Sequence, residues 1–177
     1  MSTATPAVTI EIRPATAADA SEITDIYNQG IRSRLATFET RERTIAEVEA
    51  SLQASAGRFP WLVAVRDGRV LGWANASSYR SRECYAGIGE FSIYIHEEAR
   101  GSGVGRVLLP TLIEAARAAG FWKLLSRIFP ANVGSRRLCA ACGFREVGTY
   151  EKHAQLEGVW MDTVIVENWI GMPDDAS

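Results

Sequence analysis

Hydrophobic and polar positions follow two different periods along the chain. Apolar residues at alternate positions, in runs rich in valine, isoleucine and aromatic residues, predict β-strands. Apolar residues three or four positions apart predict helices with one buried face. The resulting order is β-α-α-β-β-β-α-β-α-β-β. The predicted strands are "VTIEI" (8–12), "PWLVAV", "VLGWANASSY", "GEFSIYI" (89–95), "WKLLSRIF", "REVGTYEKHAQL" and "VWMDTVIVENWI".

Capping residues and turns indicate where these elements begin. Thr16 precedes Asp19, and Thr44 precedes Glu47, with the spacing of a capping box. In such a box the two residues satisfy N–H groups that the first helical turn leaves free, so the boxes predict the first two helices. Turn dipeptides between adjacent strands predict two hairpins. These dipeptides are Asp67-Gly68 and Glu157-Gly158.

Composition is typical of one globular domain. The 177 residues are 47% hydrophobic and 23% charged, so we expect a single mixed α/β domain over residues 1–177, with its core at about 8–170. The net charge of −2 does not favour nucleic acid or a membrane surface as a partner. No apolar run approaches the roughly 20 residues that span a bilayer. The start "MSTATPAVTI" lacks a signal-peptide pattern, so we expect a cytoplasmic protein.

The three cysteines suit a reducing compartment and do not predict a metal site. Cys139 and Cys142 form a C-x-x-C pair, and Cys84 is distant in sequence. A structural zinc site would need two more ligands, while His96 and His153 lie far away along the chain. The pair lies at the end of a predicted helix. We favour ordinary packing, with a redox motif as the alternative.

A glycine-rich stretch separates "GEFSIYI" from the third predicted helix. In "EEARGSGVGRVLL", residues 97–109, glycine occupies alternate positions from Gly101 to Gly105. This spacing differs from G-x-G-x-x-G, and no Lys-Ser or Lys-Thr follows as in a P-loop. One interpretation is a tight strand-to-helix turn. The other is a cradle whose bare N–H groups bind a phosphate or pyrophosphate at the helix N-terminus, with help from Arg100 and Arg106.

The surrounding residues resemble the acetyl-CoA motif of the GNAT superfamily of N-acetyltransferases. Its core is Arg or Gln, two residues, Gly, one residue, then Gly or Ala, which matches Arg100, Gly103 and Gly105. "NVGSRRLCAACGF" is similar to the family's second cofactor segment, where an Asn opens a helix. The resemblance covers residues 8 to about 170 and implies a mostly antiparallel central sheet flanked by helices, with acetyl-CoA as co-substrate. The cofactor contacts it implies are Ile93, Tyr94, Ile95, Arg100, Gly101, Ser102, Gly103, Val104, Gly105, Arg106 and Asn132.

The resemblance is closer to one branch, the phosphinothricin and arsinothricin acetyltransferases. Segments that look like theirs include "YNQGI", "TFET", "YRSRECYAG", "RIFPANVGS" and "YEKHAQLEGVWMD". The branch implies acetylation of the α-amino group of a small, glutamate-like amino acid, and hence resistance to an antibiotic or herbicide. A homodimer is expected by the same resemblance.

The strand before the glycine-rich stretch supplies the candidate base. In "GEFSIYI", Glu90, Ser92 and Tyr94 share one face because strand side chains alternate. Acetyl transfer needs an unprotonated amine, which a carboxylate could generate. The resemblance implies this role for Glu90, while the alternative is a solvent-facing glutamate. Backbone groups of Ile93 and Ile95 would pair with the pantetheine arm, and an N–H near Ile93 or Tyr94 would hold the thioester oxygen.

The acceptor side of the site requires cations. Arg80, Arg82 and Tyr85 lie together in "YRSRECYAG", and guanidinium groups suit carboxylate, phosphinate or arsenate-like oxyanions. Their alternative is an ordinary solvated loop. Phe38 in "TFET" is expected either to line the acceptor pocket or to belong to the core. Ser92 is a further candidate contact on the face of the base.

One position departs from the pattern of the family. Many GNAT enzymes have a Tyr that protonates the leaving thiolate, and the phosphinothricin branch often has a His there. This sequence has Cys139. A thiol can donate a proton, because its reference pKa is about 8.5. Three possibilities remain: Cys139 acts, another group or water acts, or the thiolate leaves unassisted.

Rival functions predict different behaviour. The same chemistry could serve methionine sulfoximine, a polyamine or a peptide N-terminus as acceptor. A regulatory module would bind CoA without releasing thiol from any amine. A nucleotide-binding domain would be protected against heat better by ATP than by CoA, although the missing Lys argues against it.

Overall fold

A computed structural model describes residues 9–171. Within them the chain forms seven strands and four α-helices in the predicted order. The strands are β1 (Glu11–Pro14), β2 (Trp61–Arg66), β3 (Arg69–Ser78), β4 (Ile88–Ile95), β5 (Lys123–Ile128), β6 (Arg145–Leu156) and β7 (Val159–Trp169). The helices are α1 (Ala20–Ser33), α2 (Ile45–Ser55), α3 (Val104–Ala118) and α4 (Val133–Ala141).

The first strand begins later than its sequence pattern predicts. The expected range was 8–12, whereas β1 covers Glu11–Pro14. Its pairing with β2 explains the shift, because Glu11 lies opposite Val65 and Pro14 opposite Leu62. Val8 lies outside the described residues. A short strand at the end of a sheet takes its bounds from its partner.

The sheet has the order β1-β2-β3-β4-β5-β7-β6. All neighbouring strands are antiparallel except β4 and β5, which run parallel. The parallel pair is hydrogen-bonded only where Ile88–Glu90 faces Lys123–Leu125. Beyond Glu90 the two strands no longer pair, so a gap opens in the middle of the sheet.

Helices cover the two faces of the sheet and bury separate clusters. The helix α3 places Leu108, Leu109 and Leu112 against one face, where all three are fully buried. The helix α1 places Ile23 and Ile26 on the opposite face. The 3.6-residue period of each helix produces its apolar stripe. Within residues 9–171, no helix is both long and apolar enough to cross a membrane.

The capping and turn signals have the expected local structure. The Thr44 hydroxyl accepts from the Glu47 N–H at 3.3 Å, and the Glu47 carboxylate accepts from the Thr44 N–H at 2.8 Å. Asp67 and Gly68 both have positive φ, 51° and 76°, as a two-residue hairpin turn requires. The predicted hairpin between β2 and β3 is therefore confirmed.

Asp19 in the first capping box is buried and carries a full ion pair. Only 4% of the residue is exposed. Its carboxylate accepts from Arg13 Nη1 at 2.8 Å, from Arg13 Nη2 at 2.7 Å and from the Thr16 N–H at 2.8 Å. The Arg13 hydrogen bonds lower the pKa of Asp19 below its ordinary value, more strongly than burial raises it.

We expect Asp19→Asn to lower the free energy of unfolding by about 2–3 kcal/mol at neutral pH, because charge-assisted hydrogen bonds in a buried pair are lost. The pKa of Asp19 is lower in the folded protein than its unfolded value of about 3.9. The ionised carboxylate therefore stabilises the folded protein at pH values above about 3.9. The difference between wild type and variant should therefore disappear as pH falls through the folded pKa of Asp19. Urea unfolding at several pH values measures this difference in the free energy of unfolding. Glu146→Gln, at an exposed ion pair with Arg136, is the control and should have little effect.

Candidate active site

The glycine-rich stretch forms a turn between β4 and α3. Gly101 and Gly103 have φ of 76° and 88°, which only glycine adopts without strain. A Cβ atom at either position would meet open space. Four N–H groups here have no hydrogen-bond acceptor within residues 9–171 and are available to a ligand at the positive end of α3. They belong to Gly101, Gly103, Val104 and Gly105.

Gly105 has a role in packing that its spacing does not predict. A Cβ atom there would lie 2.8 Å from Cδ2 of Leu138 on α4. The absence of a side chain therefore lets α3 approach α4 closely. Of the three glycines, Gly101 and Gly103 meet the conformational demand of the turn, and Gly105 meets the demand of helix packing.

A cavity of about 820 Å³ lies beside this turn, on the side of the gap in the sheet. Three arginines, Arg100, Arg106 and Arg137, line it. None of them has a carboxylate partner within 4.0 Å among the described residues, so their charge is available to an anion. The sequence indicated Arg100 and Arg106 but not Arg137, which lies on α4 beside the cavity. The other predicted cofactor contacts that line this cavity are Ile93, Tyr94, Ile95, Gly101, Ser102, Gly103, Val104, Gly105 and Asn132.

The gap leaves backbone groups of β4 without a partner strand. The Gly87 carbonyl accepts from the N–H groups of Trp122 and Lys123 at the start of β5, and the His96 N–H donates to the Leu71 carbonyl of β3. Backbone groups point to alternate sides along a strand, so those of Ile93 and Ile95 face the gap. The N–H of Tyr94 faces β3. Of the two backbone donors considered for the thioester oxygen, only that of Ile93 points toward the gap.

A second cavity, of about 550 Å³, meets the first along the β4 edge. Both are lined by Ala36, Ile93 and Tyr94. Tyr94 stacks on Trp73 with ring centroids 4.9 Å apart, and burial raises the pKa of its phenol, which stays neutral. We name the larger cavity the donor cavity and the smaller one the acceptor cavity. The acceptor cavity contains the predicted residues Phe38, Glu90 and Ser92.

The Glu90 carboxylate is held by a cation rather than by the apolar neighbours of its own strand. Arg127 Nη2, on β5, donates to Glu90 Oε1. The side chain of Glu90 remains 30% exposed, so an acceptor can reach it. The sequence contained no signal for Arg127, which lies 37 residues away.

Glu39 is a second carboxylate in the acceptor cavity, and it was not predicted. Its two oxygens accept from Arg43 at 2.7 Å and 2.5 Å. These hydrogen bonds hold the pKa of Glu39 below its ordinary value. Glu39 is therefore held in its ionised form by Arg43.

The predicted substrate cations lie elsewhere. Arg80, Arg82 and Tyr85 belong to the loop between β3 and β4 and do not line either cavity. The Arg80 guanidinium lies over the rings of Tyr79 and Tyr85, 5.0 Å and 6.0 Å from their centroids. The loop leaves the sheet beside Glu90, because Ser77 is the β3 partner of Glu90.

The comparison with protein families agrees with this geometry. A model described as the Acetyltransferase (GNAT) family matches residues 23–144. The chain belongs to the GNAT acetyltransferase family. It is an N-acetyltransferase with acetyl-CoA as donor, and the expected family, fold and co-substrate are confirmed.

Proteins similar to this chain include acetyltransferases of phosphinothricin and of L-methionine sulfoximine or L-methionine sulfone. This GNAT chain is 37% identical to a phosphinothricin N-acetyltransferase of Alcaligenes faecalis over 159 residues, which are 88% of this chain and 80% of that protein. It is 34% identical to an L-methionine sulfoximine/L-methionine sulfone acetyltransferase of Pseudomonas paraeruginosa over 158 residues, 88% and 92% of the two chains. A crystal structure of a GNAT phosphinothricin acetyltransferase from Sinorhizobium meliloti with acetyl-CoA has a TM-score of 0.86 and 34% identity, covering 92% and 89% of the chains.

Asn132 joins the two segments of the GNAT donor cavity. Its Oδ1 accepts from the Ser135 N–H at 3.2 Å and so caps α4. Its Nδ2 donates to the Leu35 carbonyl at 3.2 Å, which ties α4 to the chain after α1. The capping role considered from the sequence is confirmed, and the side chain also lines both cavities.

Cys139 lies in the wall of the acceptor cavity and is only 1% exposed. Burial raises the pKa of its thiol to about 12 and also raises the pKa of Cys142. Both cysteines are free thiols; Cys139 belongs to the hydrophobic cluster under α3 and Cys142 packs against that cluster, as the packing interpretation predicted. Within residues 9–171, no group of three or more His, Cys, Asp or Glu side chains is placed to hold a metal ion.

Proposed function

We propose that this enzyme transfers the acetyl group of acetyl-CoA to the α-amino group of a small acidic amino-acid analogue of the phosphinothricin or arsinothricin type. One observation carries the proposal. The donor and acceptor cavities meet at Ile93 and Tyr94, with the N–H groups of the glycine turn on one side and Glu90 on the other. The similarity to a phosphinothricin N-acetyltransferase supports the choice of acceptor.

The donor cavity suits acetyl-CoA. Its three arginines and the free N–H groups after Arg100 would bind the pyrophosphate and phosphate groups. The gap-facing backbone groups of Ile93 and Ile95 would pair with the pantetheine arm as an added strand does. With this pairing the thioester would lie at the junction of the cavities, where the Ile93 N–H would stabilise charge on its oxygen.

The reaction is a direct transfer in which Glu90 accepts a proton. The acceptor's ammonium group gives one proton to Glu90, through water or directly. The amine nitrogen then attacks the thioester carbonyl carbon, a C–N bond forms and the C–S bond breaks. The nitrogen loses a second proton and the thiolate takes up one, so each turnover releases one proton to solvent.

The proton for the thiolate comes from solvent in this proposal. The Cys139 thiol, with a pKa of about 12, is a much weaker acid than a thiol with the ordinary pKa of about 8.5. Transfer from Cys139 to the leaving thiolate would therefore be uphill. The kcat of a Cys139→Ser variant decides this point, because a large loss would return the role to Cys139.

Arg80, Arg82 and Tyr85 are proposed to contact the acidic group at the far end of the acceptor. Their loop leaves the sheet beside Glu90, and a free guanidinium fork suits a tetrahedral oxyanion. With this role, Arg82→Ala raises KM for acidic amino acids and leaves KM for neutral acceptors unchanged.

A panel of acceptors tests the proposed function. We expect free-thiol release from acetyl-CoA to be fastest with phosphinothricin or arsinothricin, slower with methionine sulfoximine, and negligible with spermidine or a peptide. A preference for methionine sulfoximine would favour the second candidate, which the similarity to the Pseudomonas paraeruginosa enzyme supports. Acetyl-CoA binding without thiol release from any amine would indicate a binding module instead.

We also propose a homodimer that forms through the C-terminal hairpin. The strand β6 is at the edge of the sheet, and apolar side chains of the hairpin are exposed. Tyr150, Val159, Trp160 and Trp169 are 52% to 65% exposed. Edge strands and apolar patches of this kind are usually covered by a partner. Light scattering that found only the 19.4 kDa chain at all concentrations would contradict the dimer.

A further inference from the structure

The acceptor cavity contains an arginine with unused hydrogen-bond donors. Among the described residues, Arg127 is the only arginine or lysine that lines this cavity. A guanidinium has five N–H donors, and one of them bonds to Glu90. The others have no acceptor within residues 9–171. The side chain is 41% exposed, so a second anion can reach it.

A buried hydroxyl without a partner lies in the wall of the same cavity. Thr163 on β7 is 1% exposed, and its Oγ1 makes no hydrogen bond within the described part of the chain. Leaving a buried hydroxyl unpaired costs free energy, so such groups are rare. Thr163 contributes to the cavity wall. Rotation about its Cα–Cβ bond moves the hydroxyl to another staggered position, so the hydroxyl can turn toward a bound ligand.

The strand register places these two side chains together. Arg127 on β5 is paired with Ile165 on β7. Thr163 is two residues from Ile165 and therefore shares its face of the sheet. Diagonal neighbours of this kind lie about 7–8 Å apart, within reach of a long side chain. A group held between them could accept hydrogen bonds from both.

We propose that Arg127 and Thr163 form a subsite for the α-carboxylate of the acceptor. The inference rests on the proposed function, in which Glu90 receives a proton from the α-ammonium group. In an α-amino acid, the nitrogen and the carboxylate carbon are bonded to the same carbon atom. Arg127 and Glu90 are in contact, so an acceptor whose amine lies beside Glu90 can place its carboxylate beside Arg127. The acceptor would be an amino acid with a free carboxylate, which excludes polyamines and peptide N-termini.

The two residues have separate consequences for the reaction. Arg127 also positions Glu90, so its substitution should change both kcat and KM. Thr163 touches only the acceptor, so its substitution should change KM alone. A hydroxyl bond to a carboxylate typically contributes enough for about a tenfold change in affinity.

The test compares phosphinothricin with its α-carboxamide as acceptors for the full chain. Wild type should prefer the free acid by about 100-fold or more in kcat/KM. We expect Thr163→Val to raise KM for the acid about tenfold and to leave that for the amide unchanged. Valine has the same shape and no unpaired hydroxyl, so the melting temperature should stay the same or rise. Thr163→Ser keeps the hydroxyl and should retain most of the preference.

Arg127→Lys supplies the second measurement, with Arg145→Gln as control. Arg145 forms an exposed ion pair with Glu167 and does not line the acceptor cavity. Arg127→Lys should reduce the preference for the acid, whereas Arg145→Gln should not. An unchanged preference in Thr163→Val would overturn the subsite while amino-acid acetylation stands. Thiol release with amines but with no amino acid would overturn the proposed function and the subsite together.

Discussion

Glu90→Gln is expected to lower kcat/KM by about 100- to 10,000-fold, the usual contribution of a general base. Glutamine has nearly the same shape and still accepts from Arg127, but it cannot take a proton from the acceptor. Because Glu90 lines the acceptor cavity and not the donor cavity, acetyl-CoA should bind with nearly unchanged affinity. Steady-state kinetics and titration calorimetry with acetyl-CoA measure the two quantities.

Glu39→Gln is the matched control for this variant. Glu39 is the other carboxylate of the acceptor cavity, and both of its oxygens already accept from Arg43. We expect it to lose much less activity than Glu90→Gln. Full turnover by Glu90→Gln would remove Glu90 from the mechanism, and a larger loss in Glu39→Gln would transfer the role to that residue.

Gly103→Val is expected to weaken acetyl-CoA binding by about 100-fold. The loss of about two charge-assisted hydrogen bonds has an effect of this size. Gly103 has φ of 88° and precedes α3, where its N–H and those of Val104 and Gly105 are free. A β-branched residue is strained at this φ, so the turn would shift and its N–H groups would no longer converge on one anion.

Gly120→Val separates strain from cofactor binding. Gly120 follows the other end of α3, has φ of 92°, and its Cβ would also meet open space. The two variants should lose similar stability, on the order of 1–2 kcal/mol, but only Gly103→Val should lose affinity for acetyl-CoA. Equal affinities in the two variants, measured by calorimetry, would show that the turn does not bind the cofactor.

The sequence predicts the position of a candidate site residue when that position depends on a local motif of a few residues. Gly101 and Gly103 form the predicted turn, because glycine adopts a positive φ without strain. Strand alternation shows that the backbone groups of Ile93 and Ile95 point to the same side, and the hydrogen bonds of Gly87 and His96 show that this side faces the gap. Arg80, Arg82 and Tyr85 were chosen by chemical type, and type does not determine which wall a loop faces. They lie outside the cavity linings, and their role stays a prediction.

Local patterns in the sequence determined the order and type of the elements, the hairpins and the helix starts, because hydrophobic period, capping and turn residues act over a few positions. The mixed α/β class followed from them, and the resemblance of the glycine-rich stretch to the GNAT motif implied acetyl-CoA as co-substrate. The tertiary structure decided where β4 leaves β5, which cation holds Glu90 and which hydroxyl lies near Arg127. These contacts join strands far apart in sequence. Their register depends on packing across the whole sheet, which no local pattern contains.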